Sequence, residues 1–357
     1  MRRSFALRLV PVLGVASLLL AACAPAPEQG GAAGGGEENA DYCARMVTNS
    51  GGLEDRSFNQ ASWAGLEQAA EEFGIEADVL VSTSETDLEP NVDQAVGSGC
   101  QFVLTVGFEL ADATLAAAEA NPEIHFSIVD EVVDAENVKP IVFDTAQASY
   151  LAGYLAAGVS KTGVVGTFGG GNQPPVTLFM DGFVDGVARY NEMHGAAVRV
   201  LGWDKAAQDG VFTGDFENVN LGKTTAQGLI DQGADVILPV AGQVGEGAAA
   251  AALEAGDVSL IWVDSDGYET LPEEYRPILL TSVIKNTTDA VVEIVGDDID
   301  GTFSSDPFIG TLENGGVGIA PFHDLESLVP AELADELTQL QEDIISGAIT
   351  VESPSAP

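Results

Sequence analysis

The chain has 357 residues, 46% of them hydrophobic, and a formal net charge of −43. So acidic a surface repels phosphate backbones and anionic lipid, which excludes nucleic acid as a partner. The length exceeds what a single core usually serves and favours two domains.

Arg2 and Arg3 lead into the apolar stretch FALRLVPVLGVASLLL, which ends at LAAC, residues 20–23. Residues 1–22 therefore read as an export signal. Ala21 and Ala22 ahead of Cys23 resemble the bacterial lipobox, whose cysteine is lipidated and becomes the mature N-terminus. A cytosolic chain with an apolar start by chance is the bland alternative. Residues 23–40, rich in Gly, Ala and Pro, read as a flexible tether. No later stretch reaches the roughly 18 to 20 apolar residues of a membrane span. The expectation is a chain held at the membrane by its lipid alone. With Cys23 assigned, Cys43 and Cys100 remain, each just before an apolar run. In parallel neighbouring strands their sulfurs would start level, which allows a disulfide in an exported chain; two buried thiols are the alternative.

From Asp41 onward, strand-like runs alternate with Ala-rich helical stretches. ARMVTN is followed by a helix from Asn59, ADVLVS by a helix from Glu89, QFVLTVG by a helix from Ala111, and HFSIVD by KPIVFD. After a helix ASYLAGYLAAGVS the pattern restarts: GVVGTF, a helix from Val176, AVRVLGW, a helix around LGKTTAQGLIDQG, ADVILPV, an Ala-rich helix, SLIWVD and ILLTSVI. This alternation predicts an α/β fold of two tandem βαβ halves around parallel sheets, joined near Asp144. In open parallel sheets ligands collect beyond the carboxyl ends of the strands. The residues found there are Asn49, Gly107, Phe108, Asp130, Gly169, Gly242, Asp264, Asp266 and Lys285. Strand-ending turns account for many such residues singly, but less well for a lysine and several carboxylates and amides on one rim.

Motifs for other chemistries are incomplete. LGKTT has no glycine at position 217, where a P-loop requires one, and GTFGGGNQPP lacks G-x-G-x-x-G spacing. DSDGYETLPEE misses the EF-hand ligand spacing and leaves room only for a structural ion. His125, His194 and His323 are scattered, and no G-x-S-x-G elbow is present. No cofactor, metal or catalysis is expected. Phe58 and Phe216 stand in loops of the first and second half; they either clamp a flat solute or plug minor cores beneath those loops.

MVTNSGGLEDRSFNQASWAG, FSIVD, ASYLAGYLAA, ADVILPVAGQVGEGA, IWVDSDGY, LLTSVIKN and GTLENGGVGIAPF, taken together, closely resemble the basic membrane protein family of solute-binding lipoproteins, the purine nucleoside receptors. The resemblance runs from about Tyr42 to Asp324. It implies a type I periplasmic-binding fold, with one lobe from 41–144 and about 286–310 and the other from 145–285 and about 311–352, joined by hinge crossovers. It further implies a monomer that binds a nucleoside and hands it to an ABC permease and ATPase. Phe58 and Phe216 would sandwich the base, Asp130 would bond its edge, and Gly242, Asp264 and Lys285 would hold the ribose, with Asn49 and Asn59 completing the site. Asp266 competes with Asp264 for that role. Asn49 departs from the family, which often has aspartate there; an amide both donates and accepts, so a different base edge is preferred. A sensor lipoprotein using the same cleft, or one binding another solute, is the alternative function.

Overall fold

A computed structural model of the chain describes residues 39–357; the signal, Cys23 and the tether up to residue 38 lie outside the described residues. The first sheet is built from β1 (Cys43–Thr48), β2 (Glu76–Leu80), β3 (Phe102–Val106), β4 (His125–Val129) and β5 (Val138–Phe143). The second uses β6 (Val164–Gly169) and β7 (Arg199–Leu201), and between them and its remaining strands lies a short ribbon, β8 (Trp203–Asp204) with β9 (Asp209–Gly210). It continues with β10 (Val236–Val240), β11 (Ser259–Asp264) and β12 (Leu279–Lys285); β13 (Phe308–Gly310) then returns to the first sheet and β14 (Val317–Ile319) to the second. The six-stranded orders are β13-β5-β4-β3-β1-β2 and β14-β12-β11-β10-β6-β7, so the two lobes repeat one topology. All pairings within them are parallel except the antiparallel β12–β14 pair.

Strands β3, β6 and β10 are buried at every position, because helices cover both faces of each sheet. The helices are α1 (Phe58–Phe73), α2 (Leu88–Gly97), α3 (Ala111–Ala120), α4 (Thr145–Val159), α5 (Pro174–His194), α6 (Val219–Ile230), α7 (Val244–Ala255), the one-turn α8 (Gly267–Thr270), α9 (Thr287–Ile299) and α10 (Ala331–Ile345). Among them α9 rests on α1, although 213 residues separate the end of one from the start of the other, while α10 and α5 rest on α4. The run AVRVLGW is shorter as a strand than its apolar length suggests. At Gly202 the chain turns at φ 89° with the carbonyl of Thr167 so close that no Cβ fits, and the strand breaks there.

The chain passes between the sheets three times: from β5 to α4, from β12 to α9, and from β13 to β14. Hydrogen bonds tie these crossings together. Asp144 N–H donates to Gly310 (2.8 Å), Asn286 N–H to Gly316 (2.8 Å), and Leu312 N–H to the Gln147 side chain (2.9 Å). At the far end of the first sheet, Cys43 and Cys100 form a disulfide, their Cα atoms 4.9 Å apart, ahead of the paired strands β1 and β3. No helix among the described residues is long and apolar enough to cross a membrane.

Candidate ligand-binding site

The carboxyl ends of the two sheets face each other across a cleft that encloses roughly 630 Å³, part of it open to solvent. Asn49, Phe58, Asn59, Asp130, Phe216, Gly242, Asp264 and Lys285 all line it. Asp266 does not: its carboxylate caps α8 by accepting from Tyr268 N–H (3.0 Å) and contacts His323 Nε2 (2.7 Å). That settles a structural use for the acidic DSDGYETLPEE segment.

Phe58 is not in a loop, as its Gly-rich and charged approach suggests, but is the first residue of α1. Asp55 accounts for this. Its buried carboxylate accepts from the backbone N–H groups of Ser57 (3.1 Å), Asn59 (2.7 Å) and Gln60 (3.1 Å), satisfying the free donors of the helix start. The half-buried Phe58 ring thereby projects into the cleft, with Lys285 Nζ 4.7 Å from its centroid. Phe216 lies in the segment before α6 and rests on Gly170, where an added Cβ would stand 2.3 Å from the ring. The two rings are not symmetry mates: Phe58 opens the helix that follows the first strand of its sheet, whereas Phe216 precedes the helix that follows the second strand of the other.

Asp130 and Asp264 do occupy equivalent places, immediately after β4 and at the end of β11, and both adopt left-handed backbone (φ 69° and 65°). Between them stands Lys285 at the end of β12, its side chain 3% exposed, with Nζ 2.5 Å from Asp130 Oδ2 and 3.8 Å from Asp264 Oδ1. Burial pushes Asp264 up to about 6, opposed by Lys285 and reinforced by Asp130 and Asp55. Burial likewise raises Asp130, against the pull of the same lysine. The ammonium therefore serves two carboxylates, with hydrogen-bonding capacity left over on all three groups. At the other end, Asn49 Oδ1 accepts from Asn59 Nδ2 (2.8 Å) and Gly51 N–H (3.2 Å), so its amide nitrogen is turned toward Glu109 and the cleft.

Several cleft residues escaped the sequence reading. Asp55 looked like loop charge, and its signal was its place three residues before the helix start. Glu109, two residues past Gly107, Gln173 just before α5, and Phe179 within α5 also line the cleft. The glutamine and phenylalanine carry no sequence signal that separates them from helix starts and core.

Two parallel-sheet lobes joined by side-by-side crossovers, with a cleft between the carboxyl ends of their strands, define the type I periplasmic-binding fold. A solved solute-binding protein of an ABC transporter system from Aeropyrum pernix K1 superposes with a TM-score of 0.79 at 24% identity, covering 88% of this chain and 94% of that one. The chain belongs to the family of PnrA-like ABC transporter substrate-binding proteins, whose sequence model matches residues 44–355. Among its relatives, the ABC transporter nucleoside-binding protein BmpA of Lactococcus lactis subsp. cremoris is 32% identical over 97% of this chain and 99% of its own. Basic membrane protein A1 of Borrelia garinii subsp. bavariensis is 28% identical over 84% of this chain and 86% of its own.

Proposed function

We propose that this protein is a lipid-anchored receptor that binds a purine nucleoside between its lobes and delivers it to an ABC permease, catalysing nothing. The observation that carries the reading is the convergence of two aromatic rings and a buried Asp130–Lys285–Asp264 cluster on one cleft. Rings suit a flat base, and stacking contributes on the order of 1 to 3 kcal/mol per base. Carboxylate acceptors with an ammonium donor suit the vicinal hydroxyls of a ribose. Asp130 belongs with the sugar in this reading, since it shares Lys285 with Asp264; the base edge falls to the Asn49 end. The name of the Lactococcus relative supports a nucleoside as the solute.

Closure brings residues 41–144 and about 286–310 against residues 145–285 and about 311–352, a hinge motion about the three crossings. Cys23 carries the acyl chains that hold the monomer on the outer face of the membrane, within reach of its permease and ATPase.

The test is calorimetric titration of the purified protein, unfolded and refolded to strip carried-over ligand, against nucleosides, free bases, nucleotides and sugars. Tight nucleoside binding without turnover is expected. Silence across the panel from a folded protein sinks the nucleoside reading and leaves the fold.

A further inference from the structure

Glu109 and Asn59 each bring to the cleft a buried side-chain oxygen that no hydrogen bond satisfies, and of the two only Glu109 is a carboxyl. It follows Gly107, which turns the chain at φ 115°, and its side chain folds back so that Oε2 occupies the space a Cβ on Gly107 would need, 2.6 Å away. The Asn49 side chain flanks the same space, its Nδ2 3.1 Å from that point. Glu109 Oε2 is buried and has no hydrogen-bond partner. A carboxyl oxygen left so is costly unless something else completes it.

The pocket that continues outward past Phe108, Glu109 and Phe216 includes Asn49 but neither Lys285, Asp130 nor Asp264, so Asn49 and Glu109 mark the end of the cleft opposite the ammonium. With the sugar at Lys285, this end meets the base edge. Asn49 Oδ1 is already taken, which leaves an amide N–H donor beside a carboxyl acceptor.

Resting on the nucleoside reading above, we propose that Glu109 selects the base, taking two N–H groups of a 2-amino-6-oxopurine while Asn49 Nδ2 donates to its 6-oxo group. A guanine edge offers that order: one acceptor, then two adjacent donors. Hypoxanthine lacks the outer donor, and adenine has no N–H at its ring nitrogen. Burial raises the Glu109 carboxyl, against the lowering pull of its own N–H and the Asn49 amide, and two charge-assisted bonds from a base would favour the ionised form again.

The experiment titrates the stripped full chain and Glu109→Gln with guanosine, inosine and adenosine, with a thermal melt of each. The expected order for the unsubstituted protein is guanosine, inosine, adenosine. Glu109→Gln should weaken guanosine roughly 10- to 100-fold and leave adenosine within about threefold. Adenosine binding as tightly as guanosine overturns the assignment without any variant. An unchanged guanosine-to-adenosine ratio in Glu109→Gln overturns it too, while nucleoside binding itself stands. Binding of no nucleoside removes both readings together.

Discussion

Lys285 Nζ, at the end of the last long strand of the second sheet, lies 2.5 Å from Asp130 Oδ2 at the rim of the first. With Asp264 Oδ1 at 3.8 Å, one ammonium is shared between two buried carboxylates contributed by opposite lobes. Removing it leaves both without a counter-charge. Lys285→Met should therefore cost the ligand-free protein about 3 to 5 kcal/mol in urea unfolding. Asp130→Asn added to it should recover part of that loss. In titrations Lys285→Ala should weaken nucleosides far more than free bases; equal losses would remove the sugar from this end of the cleft.

The same cluster predicts a pH dependence. Asp264 is raised from 3.8 to about 6 in the folded protein, chiefly by burial. Between those values the native state keeps a proton that the unfolded chain has released. Stability from this group is therefore greatest below pH 4, falls as pH rises toward 6, and is level above it, a difference on the order of 3 kcal/mol. Nucleoside affinity runs the other way, because ribose hydroxyls donate to the ionised carboxylate: it should fall as pH drops through about 6. Asp264→Asn keeps a residue that tolerates φ near 65°. It should flatten both profiles relative to the unsubstituted protein, and a variant that retains them assigns the dependence to other carboxyls.

Period and strand-end position made much of the cleft legible. The runs ending at Asn49, Asp130, Gly242, Asp264 and Lys285 are largely apolar because both sheet faces are covered, and in such sheets the residue that ends the run stands on the ligand-facing rim. Phe58 was harder, since Gly51 and Gly52 read as loop; only the Asp55 cap, a contact through space to three N–H groups, starts the helix on that ring. Glu109 and Gln173 were invisible for a related reason. Their aim depends on how one glycine or helix start turns the chain, which no periodicity records. The short hinge strands β13 and β14 likewise owe their pairing to the crossings and not to propensity.

Phe216 owes its position to an absent side chain. Its ring lies where a Cβ on Gly170 would sit, with distances of 2.3 to 2.6 Å to three ring carbons. Gly170→Ala must therefore push the ring into the cleft or out of it. The expected result is a nucleoside affinity loss close to that of Phe216→Ala, about 1 to 3 kcal/mol by calorimetry. A Gly170→Ala protein that binds normally would show that the ring is not held by this seat.

The disulfide joins residues 57 apart in sequence and closes a loop that contains β1, α1, β2 and α2. Loop-closure entropy for that length corresponds to about 4 kcal/mol. Cys43→Ala with Cys100→Ala should lower the urea midpoint accordingly while leaving nucleoside affinity nearly unchanged, since the cysteines sit at the amino ends of strands whose carboxyl ends line the cleft. A stability loss under about 1 kcal/mol would mean that the unfolded chain gains little freedom when the bond is removed.

Closure of the lobes has a direct reporter in Trp262. Its ring is buried in the second lobe, yet Nε1 donates to the carbonyl of Arg56 (3.2 Å), which belongs to the turn that presents Phe58 from the first lobe. Arg56 itself holds left-handed backbone at φ 62°, so the carbonyl is aimed by the same turn that starts α1. A bond of this kind is made only while the lobes are together and contributes about 0.5 to 1.5 kcal/mol to the closed form. Adding nucleoside should therefore change tryptophan emission, and Trp262→Phe, which keeps an aromatic ring but loses the N–H, should abolish most of that change. Because the lost bond favours closure, the variant should release ligand several-fold faster in stopped-flow displacement while its association rate stays nearly constant. Emission that responds equally in Trp262→Phe would place the reporter at Trp63 or Trp203 instead and would deny this contact a part in holding the cleft shut.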